Sequence, residues 1–363
     1  MALAARAMGL HTIVWDPHPS GPAQEAADGV IVGPYDSEES LESFSQAIGT
    51  ATYEFENIPY ATASALGEKC PVFPPPELLW VSQNRLREKD RARSLGLKTT
   101  PFGKIANVKE AERIAQEIGL PGILKTLSGG YDGKGQIVVK SVAEAGRAFE
   151  ALYRHEPLIY EKMVPFVKEV SVLVARDQFG ALAIYPLVEN HHQGGILDWS
   201  LAPARVSPAV TADAVLGART LANSLNLVGV MAVEYFVTPD GEVLFNELAP
   251  RPHNSGHWTI EGAWPSQFTQ HMRAVAGWPV LAPRQLSPAV MVNLMGERFM
   301  DGLDRLEEIL PLNGVQLHWY GKIEMRPGRK VGHVTVLGNT PGEALQQAQA
   351  VKRMLGGEWY DGA

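Results

Sequence analysis

Two glutamates flank a turn in the otherwise apolar stretch "VMAVEYFVTPDGEVLFNELAP" (230–250), Glu234 and Glu247. "TPDGEV" has turn chemistry, and period-two patterning on either side of it predicts a β-hairpin. Pairing Thr238 with Val243 sets a register in which Glu234 stands opposite Glu247 on one face. Like charges across a ladder destabilise it, so a divalent cation held between them is the simplest reason for the pair. Oxygen donors without cysteine favour Mg²⁺, or Mn²⁺, over zinc. The alternative is an edge hairpin with a solvated face, because a slip of one residue would separate the carboxylates. Asn246 is expected on the other face, in a structural role.

"APRPHNSGHWT" (249–259) follows at once and is dense in donors: Arg251, His253, Asn254, Ser255 and His257. Such a loop after a metal-binding strand suits an anion. The two histidines lie four apart in a Pro- and Gly-containing loop, without the glutamate of a metalloprotease helix, which argues against zinc. "YGKIEMRPGRKVGH" (320–333) is the one local basic cluster, with Lys322, Arg326, Arg329 and Lys330. It is either solubilising surface charge or a phosphate site for a second substrate.

A third stretch, "SGGYDGKGQ" (128–136), has the composition of a phosphate loop but not its count. A Walker loop needs glycine, four residues, then Gly-Lys-Ser/Thr. Here Ser128 takes the glycine position before Gly133-Lys134, and Gly135 follows the lysine. The flanking "GILKT" and "QIVVK" read as strands, so the segment is a hairpin loop able to close over a ligand. Its backbone amides could cradle phosphate oxygens, or it could be only a surface connection. Lys125 sits inside the apolar strand before it, where an unpartnered cation is costly. It either snorkels to the surface or faces an anion.

These groups need a scaffold, and the chain is long enough for two or three domains: 363 residues, 45% hydrophobic. The 32 basic and 40 acidic residues give a net charge of -8, with no basic stripe of the kind nucleic acid requires. Cys70 is the only cysteine, which excludes an intrachain disulfide framework and fits a reducing cytoplasm. No apolar run reaches the roughly 18 residues of a membrane helix.

Alternating helix and strand patterns over 1–85 predict an α/β domain: helix from Ala2, strand at Thr12–Trp15, strand "GVIVG" (29–33), helix Glu38–Ala47. Such domains normally open with a strand and a glycine-rich turn. Here the helix arrives at residue 2, so the expectation is a misassigned start or a truncated chain. Residues 86–163 predict a small α+β domain carrying the glycine loop. Residues 164–363 predict a larger mixed domain with the carboxylate hairpin, strand-like "ALAIYPLV" (181–188), and a β-rich C-terminal region closed by a helix from Pro341.

The glycine hairpin, the preceding lysine and the carboxylate pair resemble the ATP-grasp superfamily. With "NRLREK", "ENHHQGGIL", "NELAPRPHNSGHWT" and "YGKIEMRPGRKVGH", nearly the whole chain resembles the 5-(carboxyamino)imidazole ribonucleotide synthase family of purine biosynthesis. The resemblance implies an ATP-grasp fold with an N-terminal Rossmann-like, biotin-carboxylase-type domain lacking its first strand. It implies an ATP-dependent carboxylating ligase acting on bicarbonate and 5-aminoimidazole ribonucleotide through carboxyphosphate, a cytoplasmic homodimer without nucleic-acid or membrane partners. Arg85 and Lys125 are then phosphate contacts and Gly129, Gly130, Gly133, Gly135 and Gln136 the lid. Glu161, Lys162, Met163 and Val164 form the adenine hinge, Glu169 holds the ribose, and Glu234 and Glu247 bind Mg²⁺. Glu56, Tyr131, Lys134, Lys322 and Arg329 are implied for the ribonucleotide, and Arg251, His253, Asn254 and Ser255 for bicarbonate or carboxyphosphate.

The family's "GGGQLGRM"-like turn, part of the ribonucleotide pocket, is not in the sequence, and position 134 is lysine where many relatives have arginine. Competing expectations are another ATP-grasp ribonucleotide ligase or transformylase, a biotin carboxylase, or a truncated nucleotide-binding protein.

Overall fold

The computed structural model describes residues 1–129, 135–300, 303–322 and 324–359. The N-terminal region alternates as its sequence pattern predicts. Helix Ala2–Ala7 ends at Met8, and Gly9 follows at φ +75, the left-handed position that favours glycine. Strand Ile13–Asp16 pairs in parallel with Gly29–Val32, and Ala51–Thr52 pairs in parallel with Val72–Phe73. These two ladders are separate two-stranded sheets, not one continuous doubly wound sheet. They share a core in which Phe44, Ala51, Leu66 and Val72 pack with Ile13, Trp15 and Ile31.

Helix Arg85–Ser94 leads out of this region, with Asn84 capping it by accepting from the Leu86 and Arg87 amides. A four-stranded antiparallel sheet follows, in the order Phe102–Ile105, Leu158–Lys162, Gly122–Thr126, Gln136–Val139. Helices Val108–Ile118 and Val142–Leu152 cover it. Their caps, Asn107 and Ser141, and buried positions Ala111/Ala115 and Ala145/Phe149 explain why these segments are amphipathic helices. Gly122 is required by packing, since a Cβ there would lie 2.1 Å from the Tyr160 ring.

Of the remaining strands, Ala263–Trp264 and Arg284–Gln285 pair as a separate two-stranded ladder, and the other nine form one sheet. Its order is Val243–Ala249, Gly229–Val237, Lys168–Arg176, Val188–Gln193, Ile196–Ala202, Ala289–Met295, Lys330–Leu337, Val315–Trp319, with Leu182–Ile184 also on Lys168–Arg176. The expected single strand "ALAIYPLV" is two: Leu182–Ile184 stops before Pro186, which has no N–H to donate, and Val188 opens the next strand. Helix Pro208–Ser224 packs one face of the sheet, over Val170, Val172, Val174, Met231, Val233 and Tyr235. The C-terminal helix Pro341–Met354 covers the far end, over Val290, Val292, Val334 and Val336. No helix among the described residues is long and apolar enough to cross a membrane.

Candidate active site

Strand alternation builds the floor of the site. Because Val170, Val172, Met231, Val233 and Tyr235 face helix Pro208–Ser224, the intervening Glu169, Ser171, Glu234 and Phe236 point to the opposite face. Glu234 pairs with Ser171 on one side and Glu247 on the other, and Phe236 pairs with Glu169. The carboxylates are thus opposite each other as expected, but not by the expected register. From the turn inward, Val237 pairs with Val243 and Tyr235 with Phe245, one residue away from the Thr238–Val243 pairing. That register alone would set Glu234 against Asn246. A bulge between Tyr235 and Glu234 absorbs the extra residue and brings Glu247 into place.

Burial, and then the charge of Glu247, raises the Glu234 pKa to about 7. Glu88, buried on helix Arg85–Ser94, is also held well above the ordinary carboxylate range by burial and by Glu247; its Oε2 accepts from the Leu248 amide at 3.3 Å. Among the described residues no group of three or more His, Cys, Asp or Glu side chains could close around a metal. Two carboxylates in electrostatic conflict nevertheless fit Mg²⁺, which is typically held by one or two protein carboxylates together with substrate phosphates.

The 251–257 loop lies over these carboxylates. His253 Nδ1 accepts from the Ser255 amide, which leaves the neutral ring's proton on Nε2, 3.3 Å from Glu234 Oε1. Burial, followed by the Arg251 and Lys330 charges, holds the His253 pKa well below its ordinary value, so the neutral form is the one present. The hydrogen bonds continue inward. Ser255 Oγ is 2.9 Å from His253 Nδ1 and accepts from Ser171 Oγ at 2.8 Å, and Ser171 accepts from Asn190 Nδ2 at 3.0 Å. Gln267 clamps the backbone of His253 from both sides, accepting from its N–H and donating to its C=O, each at 2.8 Å.

Arg251 reaches into the N-terminal region. Its guanidinium forks onto Glu56, with Nη2–Oε1 at 2.7 Å and a second contact from Nε to Oε2. Burial raises the Glu56 pKa, but the Arg251 hydrogen bonds and charge outweigh it and leave the group lowered, hence ionised. Asn254 is engaged elsewhere: its carboxamide and that of Asn293 bond reciprocally, at 3.0 and 2.6 Å.

Of the basic cluster, Lys322 donates to the Lys330 carbonyl at 2.8 Å, and burial followed by the nearby Arg329 and Lys330 charges lowers its pKa. Arg329 pairs with Glu324 at 3.1 Å, and Arg326 is exposed. Lys330, not singled out within the cluster from sequence, is the member whose charge acts on Glu56, Glu234 and His253.

The glycine hairpin belongs to the four-stranded sheet. Lys125 pairs with Gln136, and Thr126 N–H bonds to the Gly135 carbonyl, so the two strands flank the loop as expected. Gly129 (φ +72) and Gly135 (φ +70) take conformations that side chains resist. Gly130, Tyr131, Gly133 and Lys134 lie outside the described residues. The Arg85 amide donates to Leu127 O at 3.0 Å and its guanidinium to Thr126 O at 3.3 Å, which places Arg85 at the loop's base.

Lys125 does face an anion, but a protein one: its Nζ is 3.1 Å from Glu161 Oε2. The Glu161 carboxylate is buried, while the chain continues through Lys162, the exposed Met163 and the partly buried Val164, the segment expected as the hinge. The Lys162 and Met163 amides are committed to Pro101 O and Pro121 O. Glu169 forms an ion pair with His192. Burial lowers the His192 pKa, but Glu169, with Glu234 and Glu247, outweighs it and leaves the group raised.

Sequence reasoning missed Lys89, Ser171, His192 and Gln267, and left Lys330 as one charge in a cluster. Only Lys89 carried a usable signal, since it lies four residues after Arg85 on one helix and so shares its face.

Three family models match the chain in order. They are the ribonucleotide synthetase preATP-grasp domain at residues 1–83, the ATP-grasp domain at 90–268, and the phosphoribosylaminoimidazole carboxylase C-terminal domain at 289–347. The chain is 41% identical over 349 residues to the N5-carboxyaminoimidazole ribonucleotide synthase of Bacillus subtilis, covering 96% of this chain and 90% of that one. The crystal structure of N5-carboxyaminoimidazole ribonucleotide synthetase from Thermus thermophilus superposes with a TM-score of 0.90 at 42% identity, covering 100% of this chain and 96% of the other. The Aspergillus clavatus N5-carboxyaminoimidazole synthase, in complex with ADP and 5-aminoimidazole ribonucleotide, superposes with a TM-score of 0.90 at 28% identity, covering 98% and 95%. The chain belongs to the ATP-grasp superfamily and, within it, to the N5-carboxyaminoimidazole ribonucleotide synthase family.

Proposed function

We propose that this enzyme uses ATP and bicarbonate to carboxylate the exocyclic amine of 5-aminoimidazole ribonucleotide, releasing ADP and phosphate. The observation that carries the reading is the Arg251–Glu56 fork, which joins a donor-rich loop over the carboxylate pair to the N-terminal region. An acceptor nucleotide and an activated carboxyl group can meet there. The resemblance to proteins that perform this reaction supports it across nearly the entire chain.

Bicarbonate oxygen attacks the γ-phosphorus, the bond to ADP breaks, and carboxyphosphate forms. The amine then takes the carboxyl carbon, the C–O bond to phosphate breaks, and the amine proton leaves with the phosphate. Phosphoryl transfer of this kind asks the protein for alignment and charge rather than a nucleophile. Arg85 and Lys125 hold phosphate oxygens. Mg²⁺ between Glu234 and Glu247 would supply further charge on them. Glu169 takes the ribose, and Val164 with its neighbours takes the adenine.

Arg251 and neutral His253 orient bicarbonate, with Ser255 and Ser171 holding the imidazole tautomer. The Asn254 carboxamide is satisfied by Asn293, so its role is to shape the loop. Glu56, Lys322, Arg329 and the hairpin residues Tyr131 and Lys134 address the ribonucleotide. Closing the glycine hairpin would exclude water from an intermediate prone to hydrolysis.

We further place the enzyme in the cytoplasm as a homodimer, without nucleic-acid or membrane partners, on the family resemblance and the acidic, single-cysteine composition. The deciding experiment follows phosphate release while each substrate is omitted in turn. Full release is expected only with ATP, Mg²⁺, bicarbonate and 5-aminoimidazole ribonucleotide together. Equal release with bicarbonate alone would refute the coupled reaction.

A further inference from the structure

Beneath the nucleotide side of the site, one carboxylate is shared by two ammonium groups. Glu161 Oε2 lies 3.1 Å from Lys125 Nζ and 3.4 Å from Lys89 Nζ. The two cations differ in their freedom. The Lys89 side chain is 2% exposed and donates to the Asn246 carbonyl at 2.9 Å, at the bulge next to Glu247. The Lys125 side chain is 15% exposed and sits on the strand that opens into the glycine hairpin. One lysine is walled in, while the other stands at the mouth.

A buried carboxylate that loses its only counter-ion is strongly destabilised, because its desolvation is no longer offset. With Lys125 as the sole partner of Glu161, any phosphate drawing Lys125 away would have to overcome that cost. Lys89 removes it. Burial raises the Glu161 pKa, yet the Lys89 and Lys125 charges, with a smaller contribution from Arg85, outweigh burial and bring it to about 2, so the carboxylate is ionised. Of the two ammonium groups paired with Glu161, Lys125 is the more exposed and so the one placed to leave.

We propose that Lys89 is a positioning residue, a standing counter-ion for Glu161 that frees Lys125 to exchange the carboxylate for the triphosphate of the nucleotide. Its second bond extends the consequence. By holding the Asn246 carbonyl, Lys89 ties the hinge strand Leu158–Lys162 to the bulge that sets Glu247 opposite Glu234. The lysine that meets phosphate and the carboxylates that meet metal are thereby kept in one electrostatic unit. The proposal rests on the reading that Lys125 contacts the nucleotide.

The test is a cycle of equilibrium affinities for a non-hydrolysable ATP analogue with Mg²⁺, measured by calorimetry on the full chain. Lys89→Met should weaken binding by about tenfold or more, because Lys125 is then needed by Glu161. Glu161→Gln should bind as tightly as wild type or tighter, and the double variant should recover to within about threefold of Glu161→Gln. A merely architectural Lys89 would give no recovery, since the second substitution adds damage to the first.

Unchanged affinity in Lys89→Met, or a double variant no better than Lys89→Met, overturns the proposal. If Lys89→Met does not fold, the sign for Glu161→Gln decides: weaker binding overturns the proposal, and equal or tighter binding supports it. Lys125→Met separates the two layers. Affinity retained there removes the phosphate-site reading and the proposal with it, whereas affinity lost there but kept in Lys89→Met removes the proposal alone.

Discussion

Glu234→Gln should make the metal-free protein more stable at pH 8, although it removes a residue assigned to the active site. In the fold, burial and the facing Glu247 raise the Glu234 pKa from 4.5 to about 7. A carboxyl group whose folded pKa is raised favours the fold below its unfolded value, and that contribution is lost as pH rises through the folded value. Between pH 4.5 and 8 the ionising group therefore costs the metal-free fold about 3 kcal/mol, at 1.36 kcal/mol per pKa unit over the raised interval. Glutamine keeps the shape and removes the charge. It forfeits some of that gain through its contact with His253, so a net stabilisation of about 1–3 kcal/mol is expected at pH 8.

The assay is chemical denaturation of both proteins without metal at pH 8 and pH 5. The difference should shrink towards zero at the lower pH, where the wild-type carboxyl is protonated. Adding Mg²⁺ with a non-hydrolysable ATP analogue should stabilise wild type more than the variant, because ligation demands the ionised pair. A variant equally destabilised at both pH values would refute the reasoning: the carboxylates would then not be in conflict, and the case for a cation between them would fail.

Other substitutions test separate links. Arg251→Lys keeps the charge but loses the fork onto Glu56, and a tenfold or greater loss in kcat/KM, roughly one charge-assisted hydrogen bond, is expected in steady-state kinetics with bicarbonate varied. Gly122→Ala would drive a methyl group into the Tyr160 ring and should destabilise the small sheet by about 1–3 kcal/mol, seen as earlier loss of hydrogen-exchange protection at Leu124 and Ile159. Lys352→Met strands Asp198, its partner in a buried ion pair, and should cost about 3–5 kcal/mol in denaturation; Lys352→Met with Asp198→Asn should be milder, because no charge is then left unpaired.

Much of this protein can be read along the chain wherever the information is local. Period-two alternation located the carboxylate hairpin, the helical pattern over Glu38–Ala47 predicted that helix, and a miscounted phosphate loop flanked by strands read as a hairpin. Such features depend on residues within a few positions of one another, so sequence holds them directly. What sequence could not supply were relations between distant segments.

The uniform hairpin register failed because a bulge is one residue's departure from a ladder, and no pattern in "VLFNEL" marks it. The sequence leaves Lys125 either snorkelling to the surface or facing an anion; the anion it meets, Glu161, lies on another strand and is shared with a lysine on a helix before it. His253 acquires its tautomer from Ser255, Ser171 and Asn190, held on elements up to 84 positions apart. Burial and the summed field of neighbouring charges set which carboxylates ionise, and both exist only after the chain has closed on itself. The sequence by itself determined which chemistry the residues could perform. The tertiary structure decided which charges meet, because Coulomb energy and desolvation depend on distance in space, not on distance along the chain.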